Sequence, residues 1–309
     1  MALYRDIFGT LEHELFLTYT GIETDLIFTK GIDLPGFAAF PLLETEEGRE
    51  ILGTYYRYLI ELARVKSTAV ILESPTWMAN RDRAAAIGYS PEDVVRANRD
   101  AIAHMAKIRA KENGVTIVLS ANIGPRDDAY APSDQMSAET AEAYHSEQMA
   151  VLASTEVDIA SGYTLAYPAE AIGMAHAARK HGLPLVVAFK VEIDGYLPNG
   201  EALQSAVEAV DAATDNYPTY FMINCAHPDH FENVLTDAPW AKRVKGIVAN
   251  ASRCSHVELD EAEELDDGNP QELGSQLAAL KDAHSQLRVL GGCCGTDLRH
   301  LAEIAARTF

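Results

Sequence analysis

Two adjacent cysteines set among glycines, Gly291-Gly292-Cys293-Cys294-Gly295, are the residues of this chain most suited to chemistry. Neither a core strand nor a surface helix has a use for such a pair. Glycine reaches backbone conformations that other residues avoid, so a glycine-rich loop can turn successive side chains toward one point, whereas a strand sends them to opposite faces. Metal ligands behave in this way. A third thiol, Cys225, ends the apolar run Phe221-Met222-Ile223-Asn224-Cys225, which reads as a buried strand. Three thiolates fill three positions of tetrahedral zinc and leave the fourth open, the arrangement that separates catalytic from structural zinc. A soft sulfur set favours another soft ligand there, so a substrate thiol is expected, held deprotonated at neutral pH without a nearby base. The competing readings are a closed structural site or buried thiols; a vicinal disulfide at Cys293 and Cys294 is disfavoured by its strain and by a reducing compartment.

The elements that would bring these thiols together can be read from apolar, β-branched runs alternating with segments of helical period. Eight strands are predicted, at Leu15 to Tyr19, Ala69 to Glu73, Thr116 to Ala121, Val157 to Ser161, Leu185 to Phe189, Tyr220 to Cys225, Val244 to Ala249 and Gln286 to Gly291. Between them lie helices such as Pro91 to Asn113, announced by Ser90-Pro91-Glu92-Asp93 and stopped at Asn113-Gly114, and Ser137 to Ser154. Eight strand–helix units in 309 residues fit an α/β fold of the (β/α)8 TIM-barrel type, one domain over residues 1–309, with its active site at the C-terminal ends of the strands. A doubly wound open sheet is the alternative. In the barrel, Cys225 closes strand six and Cys293 and Cys294 follow strand eight, so all three thiols reach one face. Cys254, after strand seven, reads as a small buried hydrophobe. His227, two residues past Cys225, is a candidate for the surroundings of the metal or for substrate contact.

Composition narrows the partners. A net charge of −21, from 25 basic and 46 acidic residues, argues against nucleic acid and anionic membranes. Part of the excess is the acidic run Glu258 to Asp267, which reads as a solvated face. The mean hydropathy of −0.09, the absence of a segment near the roughly 18 apolar residues of a membrane span, and the lack of a leader pattern at Met1-Ala2-Leu3-Tyr4-Arg5-Asp6 point to a cytoplasmic chain. Four cysteines are too few for a disulfide scaffold. A homo-oligomer is compatible with all of this.

Gly291-Gly292-Cys293-Cys294-Gly295 together with Ile223-Asn224-Cys225 resembles the zinc signature of the homocysteine S-methyltransferase family. Ile247-Val248-Ala249-Asn250-Ala251 is similar to the family's strand-seven end, and Thr20-Gly21-Ile22-Glu23-Thr24-Asp25-Leu26 to its first loop, so the resemblance spans nearly the whole chain. It implies a (β/α)8 barrel in which Zn2+, held by Cys225, Cys293 and Cys294, activates homocysteine for methylation to methionine. Substrate contacts are expected from Thr20, Gly21, Tyr163 and Asn250 at the matching positions, and from Glu73 at the end of strand two. Three positions depart from the family. Tyr19 stands where an aspartate precedes the first-loop glycines, Thr20 replaces one of those glycines, and Gly162-Tyr163-Thr164 stands where a Phe-Glu-Thr segment supplies the glutamate that binds the amino group of homocysteine. The ammonium would then meet another anion, Glu73 or Glu23, or the acceptor is a different thiol, or the barrel binds zinc and thiol without turnover. The length of the chain favours a simple donor, S-methylmethionine or S-adenosylmethionine, over a corrinoid shuttle; betaine and methyltetrahydrofolate are further options. Trp77, Tyr163 and Tyr167 are candidates to face a cationic methyl donor.

Overall fold

In the computed structural model of the protein, which describes residues 1–11, 14–262 and 264–309, eight parallel strands pair in sequence order and close on themselves. They are Phe16–Thr18 (β1), Ala69–Glu73 (β2), Ile117–Ile123 (β3), Ile159–Leu165 (β4), Leu185–Lys190 (β5), Tyr220–Asn224 (β6), Val244–Ala249 (β7) and Val289–Gly292 (β8). Closure is made by Phe16 against Val289 and Leu17 against Leu290. The strands read as continuous apolar runs because one face fills the barrel and the other meets the ring of helices, leaving all but one of their residues buried. The open-sheet alternative is thereby excluded. Among the described residues, no helix is long and apolar enough to cross a membrane.

The helix signals act where the sequence places them. Ser90 caps Pro91–Arg109 in a reciprocal capping box with Asp93, and Ser137 caps Ala138–Ala153 by accepting from the Thr140 N–H. The first of these helices stops before Asn113, and Gly114 carries φ +75° in the turn that follows. The bottom of the barrel is sealed by Phe8, which packs against Phe16 and Tyr220, and by the buried pair Arg109–Asp158 at 2.6 Å. The Asp158 carboxylate also accepts from the N–H groups of Leu3, Tyr4 and Leu119. That end is fixed by packing and buried charge, which leaves the C-terminal ends of the strands for chemistry.

One strand boundary differs in a way that matters for the site. Strand four was expected to end at Ser161 but runs to Leu165, so Gly162, Tyr163 and Thr164 lie within it. The cause is an irregularity: the register with β5 slips between Gly162 and Leu165, and Thr164 sits at φ +62°. A bulge lengthens a strand beyond what alternation predicts and re-aims its side chains.

Candidate active site

The three predicted thiols converge at the top of the barrel, their sulfurs all within 4.8 Å of one another, with Cys225 and Cys294 3.7 Å apart. Tetrahedral zinc with Zn–S bonds of about 2.3 Å separates its sulfurs by about 3.8 Å, so the cluster fits such an ion after a small adjustment. The loop after β8 is anchored by backbone bonds: Cys293 N–H donates to Ala249, and the Cys294 carbonyl accepts from Ala251 N–H. The glycines act differently from the simplest expectation. Only Gly295 has a positive φ, +77°. At Gly292 a Cβ would come within 2.2 Å of Thr296 Oγ1, so that glycine is required by the close approach of the returning loop.

Cys225 leaves β6 in the left-handed region, φ +55°. Its neighbour Asn224, buried, accepts from the Thr164 N–H at 2.9 Å and donates to Thr164 Oγ1 at 2.9 Å. One side chain thus ties together Thr164 and Cys225, two non-glycine residues of the barrel mouth held in the left-handed region. Within the cluster, hydrogen bonds from Cys293 and Cys294 hold Cys225 well below the ordinary thiol range, and bonding to Cys225 raises the other two. Three clustered thiols share protons unevenly, so one is ready as thiolate before the others.

Two cavities meet at the thiols. The inner pocket, about 40 Å³, is walled by Tyr19, Gly21, Glu23, Trp77, Asn122 and Tyr163 along with Cys225, Cys293 and Cys294. The outer cleft, about 600 Å³, reaches Cys225, Cys294 and Asn250 from the solvent side between Phe28, Phe37, Trp77 and Leu265. Tyr130 borders both. Its hydroxyl lies 3.0 Å from Cys225 Sγ, its ring stacks on His256 at 3.4 Å, and the Lys190 ammonium lies 5.2 Å from the ring centre.

Tyr19 and Tyr163, which the resemblance sets at acidic positions, are each paired with a glutamate. Tyr19 donates to Glu23 at 2.5 Å and Tyr163 to Glu73 at 3.2 Å, the two rings lying 5.9 Å apart. Burial raises both carboxyls above their usual range, Glu73 to about 7, and raises both phenols. Glu23 faces the inner pocket, while Glu73 lies buried behind Tyr163 and does not line it. Gly21 lines that pocket, and its N–H donates to Thr296 Oγ1. Thr20 is buried beside the same threonine. Asn250 borders the outer cleft with a buried Oδ1 that has no hydrogen-bond partner.

Other expectations need correction. Tyr167 does not face the site: its hydroxyl accepts from the Met136 N–H. Cys254 is exposed rather than buried, because the loop after β7 turns it toward Asp266 and away from the core. His227 caps the short helix Pro228–Phe231, its Nδ1 accepting from Asp229 N–H, and burial lowers it to about 4. In the acidic run, Glu263 lies outside the described residues; Glu264 and Asp266 border the outer cleft, and Asp267 pairs with Arg299. Sequence reasoning missed Tyr130, Phe37 and Asn122. Asn122 alone carried a signal, a polar residue at the end of the β3 apolar run.

A family model for homocysteine S-methyltransferases matches residues 42–308. The fold is similar to that of the homocysteine methyltransferase MmuM of Escherichia coli, covering 98% of this chain and 99% of that one. Its metallated form gives 19% identity and a TM-score of 0.73, its oxidized form 18% and 0.73, and its apo form 19% and 0.65. A search of curated protein sequences finds no significant match. Since the family model spans most of the chain, from the helix before β2 to the last helix, this protein belongs to the homocysteine S-methyltransferase family of methyl-transferring enzymes.

Proposed function

We propose that the protein is a zinc-dependent thiol methyltransferase that moves a methyl group from a sulfonium donor to homocysteine, giving methionine. The observation that carries this reading is the convergence of Cys225, Cys293 and Cys294 where the inner pocket meets the outer cleft. A zinc ion held by the three thiolates would supply the Lewis acidity that keeps an acceptor thiol deprotonated at neutral pH. S-methylmethionine and S-adenosylmethionine are the donor classes, and the acceptor occupies the inner pocket.

The chain's own residues do the remaining work. The acceptor sulfur attacks the donor methyl carbon in line, a carbon–sulfur bond forms, and the donor's methyl–sulfur bond breaks with its electron pair staying on the donor sulfur. The donor leaves as a neutral thioether, so the step needs no general acid. Holding the two partners in line across the thiols removes orientational entropy, worth several kcal/mol in favourable cases, about 7 or more. Phe37 borders both cavities on the side where the positive donor would sit, and aromatic rings attract cations, whereas the rings of Trp77 and Tyr130 already have Arg83 and Lys190 near them. Of the contacts expected from the sequence, Gly21, Tyr163 and Asn250 border the two cavities, while Thr20 and Glu73 act from behind them.

The test is to express the protein with ample zinc, measure bound metal, and assay methyl transfer from each sulfonium to homocysteine. One zinc per chain with methionine formation is expected. Substoichiometric zinc would refute the thiolate site, and full zinc without turnover would refute the enzymatic reading in favour of a binding role.

A further inference from the structure

Three polar groups in the inner pocket have capacity left over. Glu23 is buried and gives one acceptor position to Tyr19, and a carboxylate has several. Asn122 Oδ1 and Trp77 Nε1 are buried with no hydrogen-bond partner. Buried polar atoms are nearly always paired in folded proteins, so two orphans in the wall of one pocket mark where a ligand completes them. Their chemistry is of opposite kinds. Glu23 and Asn122 Oδ1 are acceptors and suit a cation. Trp77 Nε1 is a donor only, and the Arg83 guanidinium lies 4.9 Å from the indole ring, so that end of the pocket suits an anion.

An α-amino acid thiol has both ends and a sulfur to place between them. The resemblance sets Tyr19 and Tyr163 at acidic positions, and of the glutamates they contact only Glu23 reaches the pocket. We infer that the amino acid is held by a relocated set: Glu23 and Asn122 receive the ammonium, and Trp77 receives the carboxylate. This deepens the assignment of homocysteine as acceptor and rests on the three cysteines as its sulfur site. Tyr19 is then a positioning residue that fixes the Glu23 carboxylate, and Tyr163 walls the pocket.

The experiment measures calorimetric binding of three thiols to the zinc-loaded protein: homocysteine, 4-sulfanylbutanoate, which lacks the ammonium, and 3-sulfanylpropan-1-amine, which lacks the carboxylate. The wild type should bind homocysteine at least about tenfold more tightly than either, as hydrogen bonds to charged groups allow. Glu23→Gln should erase the preference over 4-sulfanylbutanoate while keeping that over the amine, and Trp77→Phe should do the reverse. Asn122→Ala should narrow the first preference and stands in for Glu23→Gln if that variant does not fold. The inference is overturned if the wild type does not discriminate among the thiols or binds none of them. It is equally overturned if each variant weakens all three alike. Because the readout is binding, it separates from the proposed activity: selective binding without methyl transfer from any sulfonium would refute the enzymatic reading and leave this assignment standing.

Discussion

Glu73 should make the protein less stable as pH rises through neutrality, and Glu73→Gln should remove that loss. The carboxyl is 3% exposed, accepts from Tyr163 on one oxygen and has no partner for the other, and burial raises it from 4.5 to about 7. In the unfolded chain it ionises near 4.5; in the folded chain it keeps its proton to about 7. Between those values the folded state binds more protons, so unfolding free energy falls with rising pH, and the loss is complete above about 7. A shift of this size corresponds to about 3 kcal/mol. Part has already been lost by pH 5, so about 2 to 3 kcal/mol remains to be lost between pH 5 and pH 8.

Glutamine keeps the shape and an acceptor for Tyr163 but never ionises. The difference in stability between Glu73→Gln and wild type should therefore grow by about 2 to 3 kcal/mol from pH 5 to pH 8, or roughly 5 °C in melting temperature for a chain of this size. Thermal and denaturant melts of both proteins, at matched metal content across that range, supply the comparison, and every other titrating group cancels in it. Parallel pH profiles would refute the argument, since they would mean the carboxyl is ionised in the folded protein, held by the Ser120 and Ser161 hydroxyls beside it.

Changing Cys225, Cys293 or Cys294 to Ala should each lower bound zinc and abolish methyl transfer, with the metal-free melting temperature little changed; a Cys293→Ala protein with full zinc and activity would refute the ligand assignment. Asn224→Ala should weaken cobalt binding, followed through thiolate-to-metal absorption, by about tenfold, because it strands the buried Thr164 N–H and frees the strained turn that aims Cys225. Unchanged binding would mean the turn is held elsewhere. Tyr163→Glu, which installs the residue the resemblance expects, should not improve homocysteine use. It sets a second carboxylate against buried Glu73 and should lower stability at pH 8 by a few kcal/mol, about 3, with recovery in the double variant carrying Glu73→Gln. Steady-state kinetics and melts of the single and double variants decide this one.

The thiol site was legible in the sequence because its geometry depends on strand ends. Cys225 follows an apolar run whose length alone locates the top of β6, and Cys293 and Cys294 follow the run that forms β8, so counting eight runs is enough to bring them together. The walls of the pocket depend on other physics. Tyr130 and Phe37 enter from long loops whose paths are set by contacts far away in sequence, such as the Tyr130–His256 stack, and no periodicity encodes these. Tyr163 was placed after its strand because alternation cannot foresee a bulge. The exchange of acids for tyrosines looked like a loss of charge when positions were read one at a time. In three dimensions each tyrosine hydroxyl meets a glutamate, one four residues away and one ninety, so a carboxyl group stands beside each of them. Glu23 lies four residues beyond Tyr19 and could have been paired with it from proximity in sequence; Glu73 and Tyr163 lie on β2 and β4, separated by β3, and alternate strands of a barrel contribute to one interior layer. A substitution at a motif position thus bears on function only once its new partner is known.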